Sequence, residues 1–443
     1  MSAHTTDAAS PVAYHPGTAE YDEHRAGFQL REHHQPAHVV AARAAGDVVA
    51  AVRHATESCM PIAVQATGHG LANPLAGAGV LVSTRRMDRV DVDPGAGTAW
   101  VGAGARWRDV IEAAARYGLA PLSGSMPGVG AVSYTLGGGL GLMARRYGFA
   151  ADHVTRLELV TVDGSLLSIS EHEEPDLFWA LRGGGGSFGI VTGLEMALMP
   201  VARLVGGGLM FDLGETPEVV STWLQWTAAM PSEMTTAMTT LQVSERHMAH
   251  VQIAYLGSAA EADELVAPLR ALKPVYDGLQ EIPYRRSDTV FSEPDQPHAY
   301  VGDNVLLRAI DEERLRDAIA ASAPEPGRSV RSIISVRHLG GALSTPPRVP
   351  NAVSHREAMY LLCVVAVVAP TTTSNAASAR ALHDELLANW SGTAVGSSPN
   401  FTFGRPDQRA AAELFDTERR DRLLQLARKY DPAGLLQPSF VIA

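Results

Sequence analysis

The stretch SGSMPGVGAVSYTLGGGLG, residues 123–141, constrains the fold more than any other part of the chain. Glycine loses the most backbone freedom on ordering and offers no side chain to pack, so a run this dense predicts neither a stable helix nor a stable strand. It predicts backbone held close to something bulky and polar, and a pyrophosphate cofactor fits; a chain of loops in a glycine-rich protein fits as well. A shorter turn, ATGHG at residues 66–70, follows the apolar run PIAV and sets His69 between two glycines.

Short strands and helices alternate around both turns. In ARWRDVIEAAARYG, Trp107, Val110, Ile111 and Ala114 fall at i, i+3, i+4 and i+7, with Gly118 as a stop. DVVAAVRHATES is also helical, while GVLVS, RVDVD and TAWVGA read as strands. LELVTVDGSLLSIS reads as two strands around the Asp163-Gly164 turn. After MPVARLVGGGLMF the glycine-rich texture stops. Longer strands follow (MTTAMTTLQV, HVQIAYLG, RSIISVRHLGG, MYLLCVVAVVA), with helices such as AEADELVAPLRALK between them. This pattern predicts a first unit over 1–205, with its core at about 35–203, and a second over 206–396, a sheet with helices on one face. A terminal segment, 397–443, carries the last helix, opening at Asp416 or Thr417.

The chain has 443 residues, 46% of them hydrophobic, and a formal net charge of −12. Acidity with no clustered basic residues argues against nucleic-acid binding and favours small-molecule chemistry. The N-terminal sequence has no basic stretch leading into an apolar one, so the expected location is cytoplasmic. The longest apolar run, AMYLLCVVAVVA, is too short to span a bilayer and reads as a buried strand. Cys59, in a predicted helix, and Cys363, in that strand, are expected to pack rather than to pair.

Several motif matches fail on context. GGGSFG at 184–189 satisfies both G-x-G-x-x-G and G-x-S-x-G, yet each motif needs a strand before it and a helix after, whereas helical PDLFWALRG precedes and strand-like GIVTGLEMAL follows. The cluster Glu32, His33, His34 and His38 has no metal-ligand spacing and is expected to be solvated, so no metal site is predicted.

Taken together, ATGHG, GSMPGVGAVSYTLGGGLGLMARRYG, DLFWALRGGGGSFGIVTGLEMAL and the terminal RLLQLARKYDP resemble the berberine-bridge-enzyme-like branch of the vanillyl-alcohol oxidase (PCMH-type) flavoproteins. HLGGALSTPPRVPNAVSHR is similar to that family's substrate domain, so the resemblance spans nearly the whole chain. It implies an α+β fold: a two-subdomain FAD-binding domain, a substrate domain whose antiparallel sheet is covered by helices, and a C-terminal segment returning to the FAD domain. It implies FAD bonded through the imidazole of His69. Ala66, Thr67, Gly68, Gly70, Ser125, Met126, Val129, Gly130, Tyr134, Gly137, Gly138, Gly139, Gly189, Ile190 and Val191 would complete the cofactor site. Relatives often add a second bond from a cysteine where this chain has Met126, and a thioether cannot form it, so a single link is expected. Val129 falls where relatives gate dioxygen, valine going with fast reoxidation and leucine with slow.

Departures from the family concern catalysis. Tyrosines found in relatives are replaced by Leu71 and Ser398, the latter two residues before Asn400-Phe401. A terminal Asn-Gln-Asn is replaced by Ser439, Phe440 and Val441, and a Tyr-Gly by Phe415-Asp416. Removing hydride from a carbon centre requires an acceptor for the accompanying proton. Tyr134, His338, His355 and Tyr360 are the titratable candidates. The expected activity is an FAD-dependent oxidase acting on a small or medium organic metabolite with dioxygen as reoxidant, in a tailoring step of secondary metabolism. A dehydrogenase, a non-redox cyclase that keeps its flavin as structure, and a silent flavin-binding protein remain as alternatives. Substrate and oligomeric state are not legible.

Overall fold

Runs such as Val80–Ser83 are apolar at nearly every position, the pattern of strands covered on both faces in a parallel array. His38–Ala41, Val80–Ser83 and Ile62–Gln65 accordingly lie parallel in a five-stranded sheet. The computed structural model describes residues 12–70, 73–323, 332–370, 373–404, 412–440 and 442. Ala13–Tyr14 adds antiparallel at one edge of this sheet, and Leu436–Gln437 adds parallel to Ile62–Ala63 at the other. The helix Ala45–Glu57 covers it with Val48, Ala51, Val52 and Ala55.

A second five-stranded sheet is antiparallel, in the order Val90–Asp93, Thr98–Gly102, Ile190–Ala197, Val154–Val160, Leu166–Ile169. The expected turn at Asp163-Gly164 joins its last two strands, with Gly164 at φ +77°. The helix Trp107–Ala115 buries all four of its periodic residues against this layer, and the helix Pro175–Leu181 joins the same core.

The third sheet has nine strands, and its pairings are antiparallel. Its central order is Arg203–Asp212, Arg246–Tyr255, Met234–Val243, Ser332–His338, Tyr360–Val367, Tyr300–Leu307. Helices cover one face, where Trp223, Val266 and Ile319 pack on Ile334, Val336, Leu362 and Val364. The other face turns towards the glycine-rich stretch: Leu306, Leu361 and Cys363 share a cluster with Leu140 and Ala144. The α+β architecture is as the sequence implies. Among the described residues no helix is long and apolar enough to cross a membrane, and no group of His, Cys, Asp and Glu is placed to hold a metal.

Three local expectations fail. Ala131–Leu136 forms a helix inside the glycine-rich stretch, because AVSYTL is itself free of glycine and buries Ala131, Val132 and Thr135. Cys59 lies just beyond its helix, exposed at φ +50°, while Cys363 is buried as expected and both thiols are free. His34 is not solvated: it is buried, and its Nδ1 accepts the Leu75 N–H at 3.1 Å.

Candidate functional site

The C-terminal end of the strand Ile62–Gln65 delivers residues 66–70. Gly68 is at φ +68°, and a Cβ there would stand 2.6 Å from the Cα of Gly27, so the turn admits only glycine. Backbone bonds from Phe28 to Thr67 (2.9 Å) and from Gln29 to Gly68 (3.0 Å) hold a second segment against it. The His69 ring stacks on Phe28 with centroids 4.0 Å apart, and the His69 carbonyl accepts the Tyr300 hydroxyl at 2.6 Å. Nδ1 lies 2.7 Å from Thr67 Oγ1, which also accepts the Gly130 N–H. Nε2 is buried and has no partner. Burial, with Arg106 and His298 nearby, pulls the His69 pKa down to about 3, so the ring is neutral at physiological pH. In the tautomer that donates from Nδ1, Nε2 presents a bare lone pair.

The glycine-rich loop faces this nitrogen. A Cβ on Gly128 would lie 4.0 Å from His69 Nε2, with nothing closer than Arg108 Nη2 at 3.7 Å, and around Gly70 there is open space. The loop is pinned to the start of the Trp107–Ala115 helix, whose N–H groups at Trp107 and Arg108 donate to Val129 and Pro127. Met126 and Val129 are half-buried beside it. The other glycines approach protein rather than open space. A Cβ on Gly124, Gly139 or Gly141 would crowd Tyr134, and one on Gly137 would lie 2.8 Å from Asn400 Oδ1. Gly138 is at φ +105° in the same bend. Asn400 clamps that bend: its Nδ2 donates to the Tyr134 carbonyl (3.0 Å) and its Oδ1 accepts the Gly139 N–H (3.2 Å). The Tyr134 hydroxyl is buried without a partner, and burial drives its pKa up, partly offset by Arg337.

Gly189 approaches a neighbouring strand, since a Cβ there would meet the Val160 carbonyl at 2.6 Å. Ile190 and Val191 are buried and pair with Val160 and Leu159.

Across from the loop lies the uncovered face of the large sheet. Directly paired residues share a face, so Ala237, Arg337, Leu361 and Leu306 form one row and Thr239, Ser335, Cys363 and Asn304 the next. Arg337 lies between Phe291 and Phe401, its guanidinium carbon 4.5 and 4.8 Å from their ring centroids. Glu293 reaches both sides: its Oε1 accepts Ser125 Oγ at 2.8 Å and stands 3.8 Å from Arg337 Nη2. His338 and Tyr360 have the opposite parity, that of Ile334 and Val336. They stack on each other, His338 Nε2 accepts from Arg145 (2.8 Å), and the Tyr360 hydroxyl pairs with Thr227 (3.0 Å). His355 Nε2 is bonded to the Glu413 carbonyl.

Three buried polar atoms without partners, His69 Nε2, Tyr134 Oη and Arg337 Nε, therefore surround one loop that leaves open space at Gly128. That arrangement fits a large planar cofactor bearing a pyrophosphate tail. Residues 36–170 match the family described as FAD binding domain. The chain is 27% identical to (R)-6-hydroxynicotine oxidase of Paenarthrobacter nicotinovorans, over 92% of its own length and 91% of that protein's. It is likewise 27% identical to an FAD-linked oxidoreductase of Metarhizium anisopliae, over 98% and 89%. Among solved structures, 6-hydroxy-D-nicotine oxidase from Arthrobacter nicotinovorans superimposes with a TM-score of 0.85 at 24% identity, covering 98% of each chain. The chain is an FAD-linked oxidoreductase, similar over nearly its full length to PCMH-type, vanillyl-alcohol-oxidase flavoproteins. Physcomitrella patens BBE-like 1 shares the oxidoreductase fold at a TM-score of 0.84 and 20% identity, over 98% of this chain and 97% of that one.

The positions where this oxidoreductase departs from the berberine-bridge-enzyme-like pattern are accommodated locally. Ser398 donates its N–H to Asn304 and borders a cleft with His355 and Leu414. Phe440 packs against Gly185 and Phe415, and Asp416 caps the last helix by accepting the Arg419 N–H. Leu71 and Val441 lie outside the described residues. Sequence reasoning missed Arg337, Glu293, Tyr300, Phe28 and the clamping role of Asn400. For Arg337 a signal existed: in SIISVRH the alternation that puts His338 on one face puts Arg337 on the other.

Proposed function

We propose that the protein is an FAD-dependent oxidase that removes hydride from a small organic metabolite, in a tailoring step of secondary metabolism. In this reading one covalent bond from His69 holds the flavin, and dioxygen restores it. The observation that carries the reading is the buried, neutral imidazole of His69 with Nε2 unpartnered and turned towards the open space at Gly128. Ala66, Thr67, Gly68, Gly70, Ser125, Met126, Val129, Gly130, Tyr134, Gly137–Gly139 and Gly189–Val191 would hold the cofactor. When bound, FAD supplies the hydride-accepting ring system, and the protein supplies placement and electrostatics. Tyr134 keeps its proton at neutral pH and offers a hydroxyl donor. His338, its pKa pulled down to about 3 by burial and Arg145, stays neutral and occupied. Relatives called nicotine oxidase and chitooligosaccharide oxidase support oxidase over dehydrogenase.

The test is retention of yellow colour by the polypeptide after acid denaturation, with its loss in His69→Ala. With Met126 unable to bond, peptide mapping should find flavin only on the peptide containing His69. Free extraction of wild-type flavin refutes the covalent link. A non-redox cyclase is the second reading, favoured by leucine and serine at positions 71 and 398; turnover without anaerobic bleaching of the flavin would select it.

A further inference from the structure

Among the described residues, Arg145, Arg182 and Arg356 have their guanidinium donors engaged by hydrogen bonds, and Arg337 does not. Arg145 donates to the carbonyls of Met234, Met230, Pro231 and Leu339 and to His338. Arg182 donates to the carbonyls of Phe178, Val349 and Pro350. Arg356 pairs with Asp152 and Asn351. Arg337, with only 13% of its side chain exposed, makes no hydrogen bond among the described residues. Its nearest carboxylate oxygen, on Glu293, is 3.8 Å away, and its Nε is buried without a partner. A charged group left unsatisfied in the interior is costly, and such exceptions mark sites completed by something else.

The Phe291 and Phe401 rings lie 4.5 and 4.8 Å from the guanidinium carbon, and a guanidinium flanked by aromatic rings keeps its N–H donors for partners in its own plane. Arg337 and Phe291 border a small cleft with Gly141, Ala237 and Leu339, on the face that looks at the glycine-rich loop. We propose that Arg337 receives a carboxylate carried by the substrate on an aromatic or similarly apolar body. A guanidinium fixed in one plane matches the two oxygens of a carboxylate edge to edge. A phosphate dianion would require a second free cation, and Arg145 beside the cavity has spent its donors. A basic substrate would have to lie against Arg337, because Glu293 is engaged by Ser125. This inference rests on the oxidase reading for its substrate but not for its test.

The flavin-loaded protein is titrated calorimetrically with benzoate, benzamide and benzylamine. Benzoate should bind and benzylamine should not. Arg337→Gln should weaken benzoate at least tenfold while leaving benzamide unchanged, Arg337→Lys should restore part of the loss, and Glu293→Gln, which removes a neighbouring negative charge, should tighten benzoate. No benzoate binding by the wild type, benzoate affinity indifferent to Arg337→Gln, or preference for benzylamine overturns the proposal. So does equal loss of benzamide, which would indicate packing, or weaker benzoate binding in Glu293→Gln. Because the readout is binding, failure here leaves the His69 result standing, and release of flavin on denaturation leaves this result standing.

Discussion

Replacing Asn400 by leucine removes the amide that joins the C-terminal segment to the glycine-rich loop while keeping a side chain of similar volume. The Tyr134 carbonyl belongs to the last turn of the Ala131–Leu136 helix, where no intrahelical N–H reaches it, and the Gly139 N–H lies beyond the helix. Both groups lose their partner at once. Leaving a buried backbone group unpaired costs about 1–3 kcal/mol, so the pair costs about 2–4 kcal/mol with partial rescue by water. At about 1.4 kcal/mol per tenfold, even the lower figure opens the loop roughly 30-fold more often. Amide hydrogen exchange followed by mass spectrometry reads this directly. The peptide spanning residues 134–141 should exchange at least tenfold faster in Asn400→Leu, with the strand Thr98–Gly102 unchanged. Asn400→Asp, which keeps an acceptor for Gly139 but has no donor for Tyr134, should fall between. Unchanged exchange in the loop of Asn400→Leu would refute the clamp, and equal acceleration everywhere would mean global destabilisation instead.

Val129→Leu adds a methylene beside the proposed dioxygen approach in a half-buried position, and reoxidation of the reduced enzyme in stopped flow should slow markedly; equal rates remove Val129 from that role. Acid should destabilise the fold before carboxylates protonate. Burial pulls His34 and His383 down to about 4, so the unfolded chain binds more protons between pH about 4 and 6.5. The stability these groups confer is complete above that window and lost as pH falls through it. Melting temperature should therefore drop from pH 7.5 to 5, and a flat profile contradicts the assignment. His34→Gln, whose amide oxygen can still accept the Leu75 N–H, should flatten part of the slope.

Elements whose signal is local were legible in the chain. Trp107, Val110, Ile111 and Ala114 bury one helical face wherever the rest of the fold goes, and Asp163-Gly164 turns a hairpin by its own backbone preference. The glycine-rich stretch was half legible. Its density signalled close approach, but the partners of Gly124, Gly137, Gly139 and Gly141 include Tyr134 and Asn400, and Asn400 is 261 residues from Gly139. The environment of His69 was equally remote, because Phe28 lies near the start of the chain and Tyr300 is 231 residues beyond His69. Arg337 and His338 adjoin in sequence on opposite faces of one strand. Which face meets the loop depends on where four helices pack, and no local periodicity carries that information.

Synthesis imposes an order on the sheet that carries His69. Ile62 emerges early from the ribosome, yet its backbone N–H is satisfied by the Leu435 carbonyl, and Asn73 bonds to Pro438 across 365 residues. Throughout elongation this sheet is one strand short on the side next to the turn that carries His69. Completion of this sheet is thereby deferred until translation is nearly finished. A stop just before Leu435 leaves every flavin-contacting side chain proposed here in place, yet removes the strand that completes their platform. Such a truncated chain should accumulate colourless, and a yellow one would show that the edge strand is dispensable.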